Sequence, residues 1–131
     1  MKKKWRSSIS KLTKMSHSYK RSARISDLLI KEISEMLVRG KIKDPRVSSA
    51  SITAVRVTDD MGYAKVFFTS FDERSDTQEM LEGLRNATGY IRSTLSRRLR
   101  IKKIPNIEFE YDTLVEKRAR IDELIKDLSD G

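Results

Sequence analysis

The sequence predicts an α+β fold in which helices cover one face of a three-stranded sheet and a further helix closes the chain. Three observations predict it. Apolar residues recur at helical spacing in separated stretches. Three shorter runs are β-rich or alternate apolar with polar. The order of the two kinds is α-β-β-α-α-β and then α, in only 131 residues, which is enough for one modest core and no second one.

The first helix is expected over 20–39. Ile25, Leu28, Leu29, Ile33, Met36 and Leu37 form one stripe, and Gly40 supplies a stop. Lys41 to Arg46 is a connector, because Pro45 pushes Asp44 out of helical geometry. Two strands follow, 51–58 and 63–71, joined by the Asp59-Asp60-Met61-Gly62 loop of a hairpin, with Val57, Val66, Phe67 and Phe68 as anchors. Ser75 with Gln78 three residues on resembles a capping box. Leu81, Leu84, Thr88, Ile91 and Leu95 then share a helical face. Gly83 and Gly89 weaken that helix, so two helices meeting at a bend near Ala87 to Gly89 are expected, with one straight helix as the alternative. Past Pro105, the alternation of Ile107, Phe109 and Tyr111 with Glu108 and Glu110 predicts a third strand with one wet face. Residues 114–128 read as an amphipathic helix with Leu114, Val115, Ile121, Leu124, Ile125 and Leu128 on its apolar side.

Composition excludes several functions. There is no Cys, so disulfides, zinc ribbons and thiol catalysis are out, and the single His17 leaves little for histidine chemistry. No apolar run approaches the roughly 18 residues of a membrane span. No GxGxxG or GxxxxGK[ST] loop is present. Asp59-Asp60 and Asp72-Glu73 are paired acids in loops. They admit a magnesium-dependent nuclease on Asp59, Asp60 or Asp72, although adjacent acids in a turn are usually turn residues.

Charge is informative by its placement. The formal net charge is +9, and residues 1–24 hold nine basic residues and no acid. Residues 1–18 read as a basic flexible extension without the apolar stretch of a secretory signal; an organellar transit peptide, or a start at Met15, are the alternatives. Between Glu82 and Glu108 no acid occurs, while Arg85, Arg92, Arg97, Arg98, Arg100, Lys102 and Lys103 do. With Ile91 set at 0° on a helical wheel, Leu95 and Leu99 stay within about 80° of it. Arg100 and Arg97 fall at about 180° and 240°, and Arg92 and Arg98 flank the core side. Ser93 and Ser96 add donors outside, and Lys102 and Lys103 extend the ridge. Such a face suits a phosphate backbone. Five neutralised phosphates imply a log K against log salt slope of about −3.5 to −4.5. Tyr90 is the one aromatic among these cations, so stacking of the RRM kind is not expected.

Several segments together resemble the ribosome-binding factor A family. They are Ile42-Lys43-Asp44-Pro45-Arg46 after the first helix, Tyr63-Ala64-Lys65-Val66, Ala87-Thr88-Gly89, and Arg100 to Pro105 leading into Ile107-x-Phe109-x-Tyr111-Asp112. The resemblance spans about residues 19–128. It implies a KH-type (type II) fold with a helix kink at Ala87, Thr88 and Gly89 in place of the GxxG loop, and hence no single-strand clamp of the usual KH kind. The division that follows is the extension 1–18, a KH-like RNA-binding domain 19–113 and a C-terminal helix and tail 114–131. The resemblance also implies a non-catalytic, cytoplasmic factor, associated with growth in the cold, that binds the immature 30S subunit and 16S rRNA. Such a factor promotes late maturation, including processing of the 16S rRNA 5′ end. No cofactor, metal or membrane is expected, and the chain is expected to be a monomer. The RNA footprint expected from charge and resemblance is Arg92, Arg97, Arg98, Arg100, Lys102 and Lys103, joined by Lys43, Arg46, Lys20, Arg21 and Arg24. A protein-protein adaptor with a basic docking ridge is the alternative.

Overall fold

The structure is a computed structural model that describes the backbone of residues 2–130 and the side chains of residues 20–114, 117 and 120–128. Helix α1 runs Lys2–Val38, so it starts well before residue 20, the start that the sequence predicts. No Gly or Pro lies between Lys2 and Val38, so nothing in the sequence interrupts the helix. The side chains of the predicted extension 1–18 lie outside the described residues. The helix stops where expected. Gly40 has φ 64°, and the pair Gly40 N–H to Leu37 O (3.2 Å) and Lys41 N–H to Met36 O (2.9 Å) makes a Schellman cap that requires this left-handed residue.

The connector ends in a short 3-10 turn, Pro45–Val47. Asp44, extended as the residue before a proline must be, caps it by accepting Arg46 N–H at 3.0 Å. Strands β1 (Ala50–Val57) and β2 (Tyr63–Ser70) pair antiparallel; Thr53 is the extra residue of a bulge between Ile52 and Ala54. In the hairpin loop it is Met61, not Gly62, that takes positive φ (58°).

Helix α2 (Thr77–Asn86) is capped by Asp76, whose carboxylate accepts from Gln78 N–H at 2.9 Å and Glu79 N–H at 3.3 Å. The predicted capping box therefore sits one residue late: Ser75 is paired with Ser49 Oγ at 2.7 Å instead. Helix α3 (Thr88–Arg98) begins across Ala87, which is both the C-cap of α2 and the N-cap of α3, so two helices meet there, as expected, rather than one running through. Strand β3 (Asn106–Tyr111) pairs with β2 in parallel, a connection that the α2–α3 crossover makes possible. Sheet order is β1-β2-β3. Helix α4 (Thr113–Asp130) follows directly.

The core lies between helices and sheet. Leu29, Ile33 and Met36 of α1, Met80 and Leu84 of α2, and Ile91 and Leu95 of α3 are buried against Val66, Phe68, Ile107 and Phe109. Two expected anchors are weaker than the sequence suggests. Val57 is half-buried, and Phe67 is on the outer sheet face with the Arg56 guanidinium 5.9 Å from its ring centre. Asp112 ties the end of the sheet together. Its N–H donates to Phe68 O at 2.7 Å, and its carboxylate accepts from Thr53 Oγ1 at 2.6 Å and Leu114 N–H at 2.9 Å. Among the described residues, no helix is long and apolar enough to cross a membrane.

Candidate nucleic-acid interface

Helix α3 owes its position to its apolar side. Ile91 and Leu95 are fully buried and Leu99 packs at the edge of the core, so the remaining side faces out. The helix ends at Arg98, because Leu99 is extended (φ −102°, ψ 136°). Arg100 therefore belongs to the connector with Lys102 and Lys103 rather than to the helical wheel. Arg97, Arg100, Lys102 and Lys103 are exposed, and none forms an ion pair among the described residues. Lys103 is close enough to Asp60 to help hold that carboxyl below its ordinary range, after the larger effects of hydrogen bonds from Thr58 Oγ1 and Gly62 N–H.

Three of the predicted cations are otherwise engaged. Arg98 reaches across to α1, with Nε 3.1 Å from Glu32 Oε2 and Nη2 3.8 Å from Glu35 Oε2. The contact with Glu32 is not aligned as a hydrogen bond, so Oε2 of this buried acid has the Arg98 charge beside it and no donor pointing at it. Arg92 is half-buried and donates from Nη2 to Ile104 O at 3.2 Å, fastening α3 to the segment before β3. Arg46 is held by Asp44 (Nη2 to Oδ2, 2.8 Å; Nε to Oδ1, 3.1 Å) and lies 3.6 Å from Glu82. The Arg46 guanidinium holds the Asp44 carboxyl below its ordinary range, mainly through the side-chain hydrogen bonds and then through the Arg46 N–H. Charge counting missed these engagements because every partner except Asp44 lies on another element.

The other predicted residues are exposed but dispersed. Lys43 lies at the opposite end of α3, beside the helix break. Lys20, Arg21 and Arg24 lie on α1; Arg24 is eight residues, about 12 Å, upstream of Glu32. Ser96 spends its hydroxyl on Ser93 O at 2.9 Å. At the kink, Ala87 and Thr88 are half-buried, and Thr88 Oγ1 donates to Leu84 O at 3.3 Å. The loop acids proposed for a nuclease build turns instead. Asp60 accepts from Thr58 Oγ1 at 2.7 Å and Gly62 N–H at 2.9 Å, and Asp72 accepts from Arg74 N–H at 3.0 Å. Among the described residues, no three His, Cys, Asp or Glu side chains gather as metal ligands would.

The fold and its exposed cations define a KH-like α+β module with a basic wall at the end of its third helix. A family model for ribosome-binding factor A matches residues 21–125. Ribosome-binding factor A of Halothermothrix orenii is 42% identical over 106 residues, covering 81% of this chain and 86% of that one. The Azoarcus sp. (strain BH72) protein of the same name is 42% identical over 113 residues, covering 86% and 89%. The crystal structure of ribosome-binding factor A from Thermus thermophilus aligns with a TM-score of 0.60 at 26% identity, over 69% of this chain and 93% of that one. A homology model of the Thermus thermophilus factor, fitted into the cryo-EM map of its complex with 30S, aligns at 0.56 and 25% identity, over 67% and 91%. The chain belongs to the ribosome-binding factor A family, whose members are non-catalytic assembly factors.

Proposed function

We propose that this protein binds the small ribosomal subunit during its assembly, gripping 16S rRNA, and favours the mature rRNA conformation late in the process, including the conformation needed for processing of the 5′ end. It acts in the cytoplasm as a monomer and catalyses nothing itself. The observation that carries this reading is the wall of Arg97, Arg100, Lys102 and Lys103, exposed and without ion pairs among the described residues. Cations that form no ion pair release counterions from a phosphate chain when they bind it. Membership of the family and the fit of the Thermus thermophilus relative into a 30S complex supply the direction. Lys43, Lys20, Arg21 and Arg24 extend the footprint. Because binding energy spent on one rRNA conformer shifts the population toward it, no catalytic group is needed.

Co-sedimentation with free small subunits across a salt series tests this. Four phosphate contacts give a log–log slope of about −2.8 to −3.6. The double variant Arg97→Glu/Arg100→Glu should weaken binding more than tenfold at low salt and flatten the slope, with the circular dichroism spectrum unchanged. Undiminished binding removes the wall from the interface. Retention of a ribosomal protein but not of rRNA on a filter supports the adaptor reading instead.

A further inference from the structure

We infer that the cleft beside the α2–α3 break is a pocket for one unstacked RNA base. This rests on the rRNA reading above and adds to it a contact that is not electrostatic. The cleft is open, about 280 Å³ in volume, and lies between the Lys41–Asp44 connector and the helix junction. Its apolar lining comes from Ile42, Ala87 and Tyr90, and Asn86 also lines it. Gly83 contributes no side chain to the cleft; a Cβ there would lie 2.8 Å from Val47 Cγ1 and 3.2 Å from Asp44 Oδ2, so the connector side chains pack directly on the α2 backbone beside it.

Tyr90 is the unusual member. It is 44% exposed although its neighbour Ile91 is fully buried. Among the described residues its ring packs on no other ring and lies under no cation. The Asn86 amide makes no side-chain hydrogen bond among the described residues, so the cleft lining offers one donor and one acceptor group beside its apolar members. A flat group with apolar faces and a polar edge matches that arrangement, and a nucleobase is such a group. Lys41 and Lys43, both exposed, line the same cleft, while its one acid, Asp44, is already held by Arg46. The surroundings therefore favour an occupant carrying phosphate.

Position on the helix links the cleft to the basic wall. Tyr90 and Arg97 are seven residues apart, which is two turns, so they share one side of α3 about 10 Å apart. An RNA strand with phosphates on Arg97 can run along that side and lay a base on Tyr90 a few nucleotides away. Base–aromatic stacking tolerates any base, so the pocket adds grip without fixing sequence. This is a single slot and not the sheet platform of an RRM, in keeping with the scarcity of aromatics.

The test uses the full-length chain and free small ribosomal subunits. Tyr90→Ala should weaken binding about five- to 150-fold, Tyr90→Phe should bind like the parent, and Tyr90→Leu should behave like the Ala variant. The salt slope should stay unchanged in all three, because no phosphate contact is lost. A photoreactive benzophenone amino acid in place of Tyr90 should crosslink to an rRNA nucleotide. Parent-like binding by Tyr90→Ala, while Arg97→Glu/Arg100→Glu weakens, overturns the pocket and leaves the rRNA reading standing. A crosslink to a ribosomal protein also overturns it. If neither variant weakens binding, the rRNA reading falls first and the pocket with it.

Discussion

Gly83 and Gly89 sit in the same helical stretch and answer to different constraints. At Gly83 the 3-10 turn presses on α2: an added Cβ would meet Val47 Cγ1 at 2.8 Å and Asp44 Oδ2 at 3.2 Å. Val47 is buried and β-branched, so it cannot swing aside cheaply. Gly83→Ala should lose up to about 2 kcal/mol, the overpacking cost less what alanine gains as a helix former. At Gly89 an added Cβ meets nothing within 4 Å and φ is not positive, so Gly89→Ala should gain up to about 1 kcal/mol. Urea denaturation of the two variants reads both signs, and equal shifts would contradict the steric argument. Adjacent arginines divide in the same way. Arg97 is exposed, whereas Arg98 neutralises the buried Glu32. Arg98→Ala should cost about 1 kcal/mol of stability, because its half-exposed charge is partly screened, while leaving the salt slope of subunit binding alone. Arg97→Ala should do the opposite, with stability within about 0.5 kcal/mol and a slope smaller by roughly one. Thermal melts and salt-dependent co-sedimentation of the same two proteins check this.

At the scale of elements, the Asp44-Pro45-Arg46 segment is a staple that joins the end of α1 to the flank of α2. Its pH response follows from the shifted carboxyl. Asp44 ionises below its ordinary value of 3.8 in the folded chain because Arg46 hydrogen-bonds to the charged form. Its contribution is therefore complete above about pH 4 and is lost as pH falls through the lower folded value. Asp44→Asn keeps a capping oxygen but no charge. Its melting temperature should be slightly lower than the parent's at pH 7, and the gap should close as pH falls below about 4. A gap that stays constant would mean that the charge contributes nothing. This staple also shows what a sequence exposes and what it hides. Elements whose signal is local were legible: the α1 stripe with its Gly40 stop, the alternation in β3 and the break at Ala87. Features that depend on a neighbour in space were not. Ser75 looks like a cap until Ser49 is beside it, and Arg46, Arg92 and Arg98 look like free cations until Asp44, Ile104 and Glu32 are placed. The candidate site was readable as a basic stretch, but which of its charges are available is decided by helix docking. The Tyr90 cleft needed the connector and the helix break to be brought together.

At the scale of the molecule, α4 differs from the other helices. The helices α1, α2 and α3 bury their apolar stripes on one face of the sheet, whereas Leu114, Ile121, Leu124, Ile125 and Leu128 of α4 are 55–80% exposed. Burying such a side chain is worth about 1.5–3 kcal/mol, and left in water it adds almost nothing to folding. The helix is anchored at its first turn, where Leu114 N–H meets Asp112, and an 18-residue helix whose described apolar side chains are exposed is near the length at which helices become marginal in water. Two consequences can be measured. In the full chain, part of the helical signal should melt gradually before the cooperative transition of the body. A chain ending at Thr113 retains Asp112 and its bond to Thr53, so it should lose that early phase. Its main Tm should stay within about 4 °C of the parent's, the shift expected when about 0.5 kcal/mol or less is removed from a domain of this size. A drop of 10 °C or more would mean that the apolar side of α4 is buried on the body in solution, and the division of the molecule into a packed domain and a free terminal helix would fail.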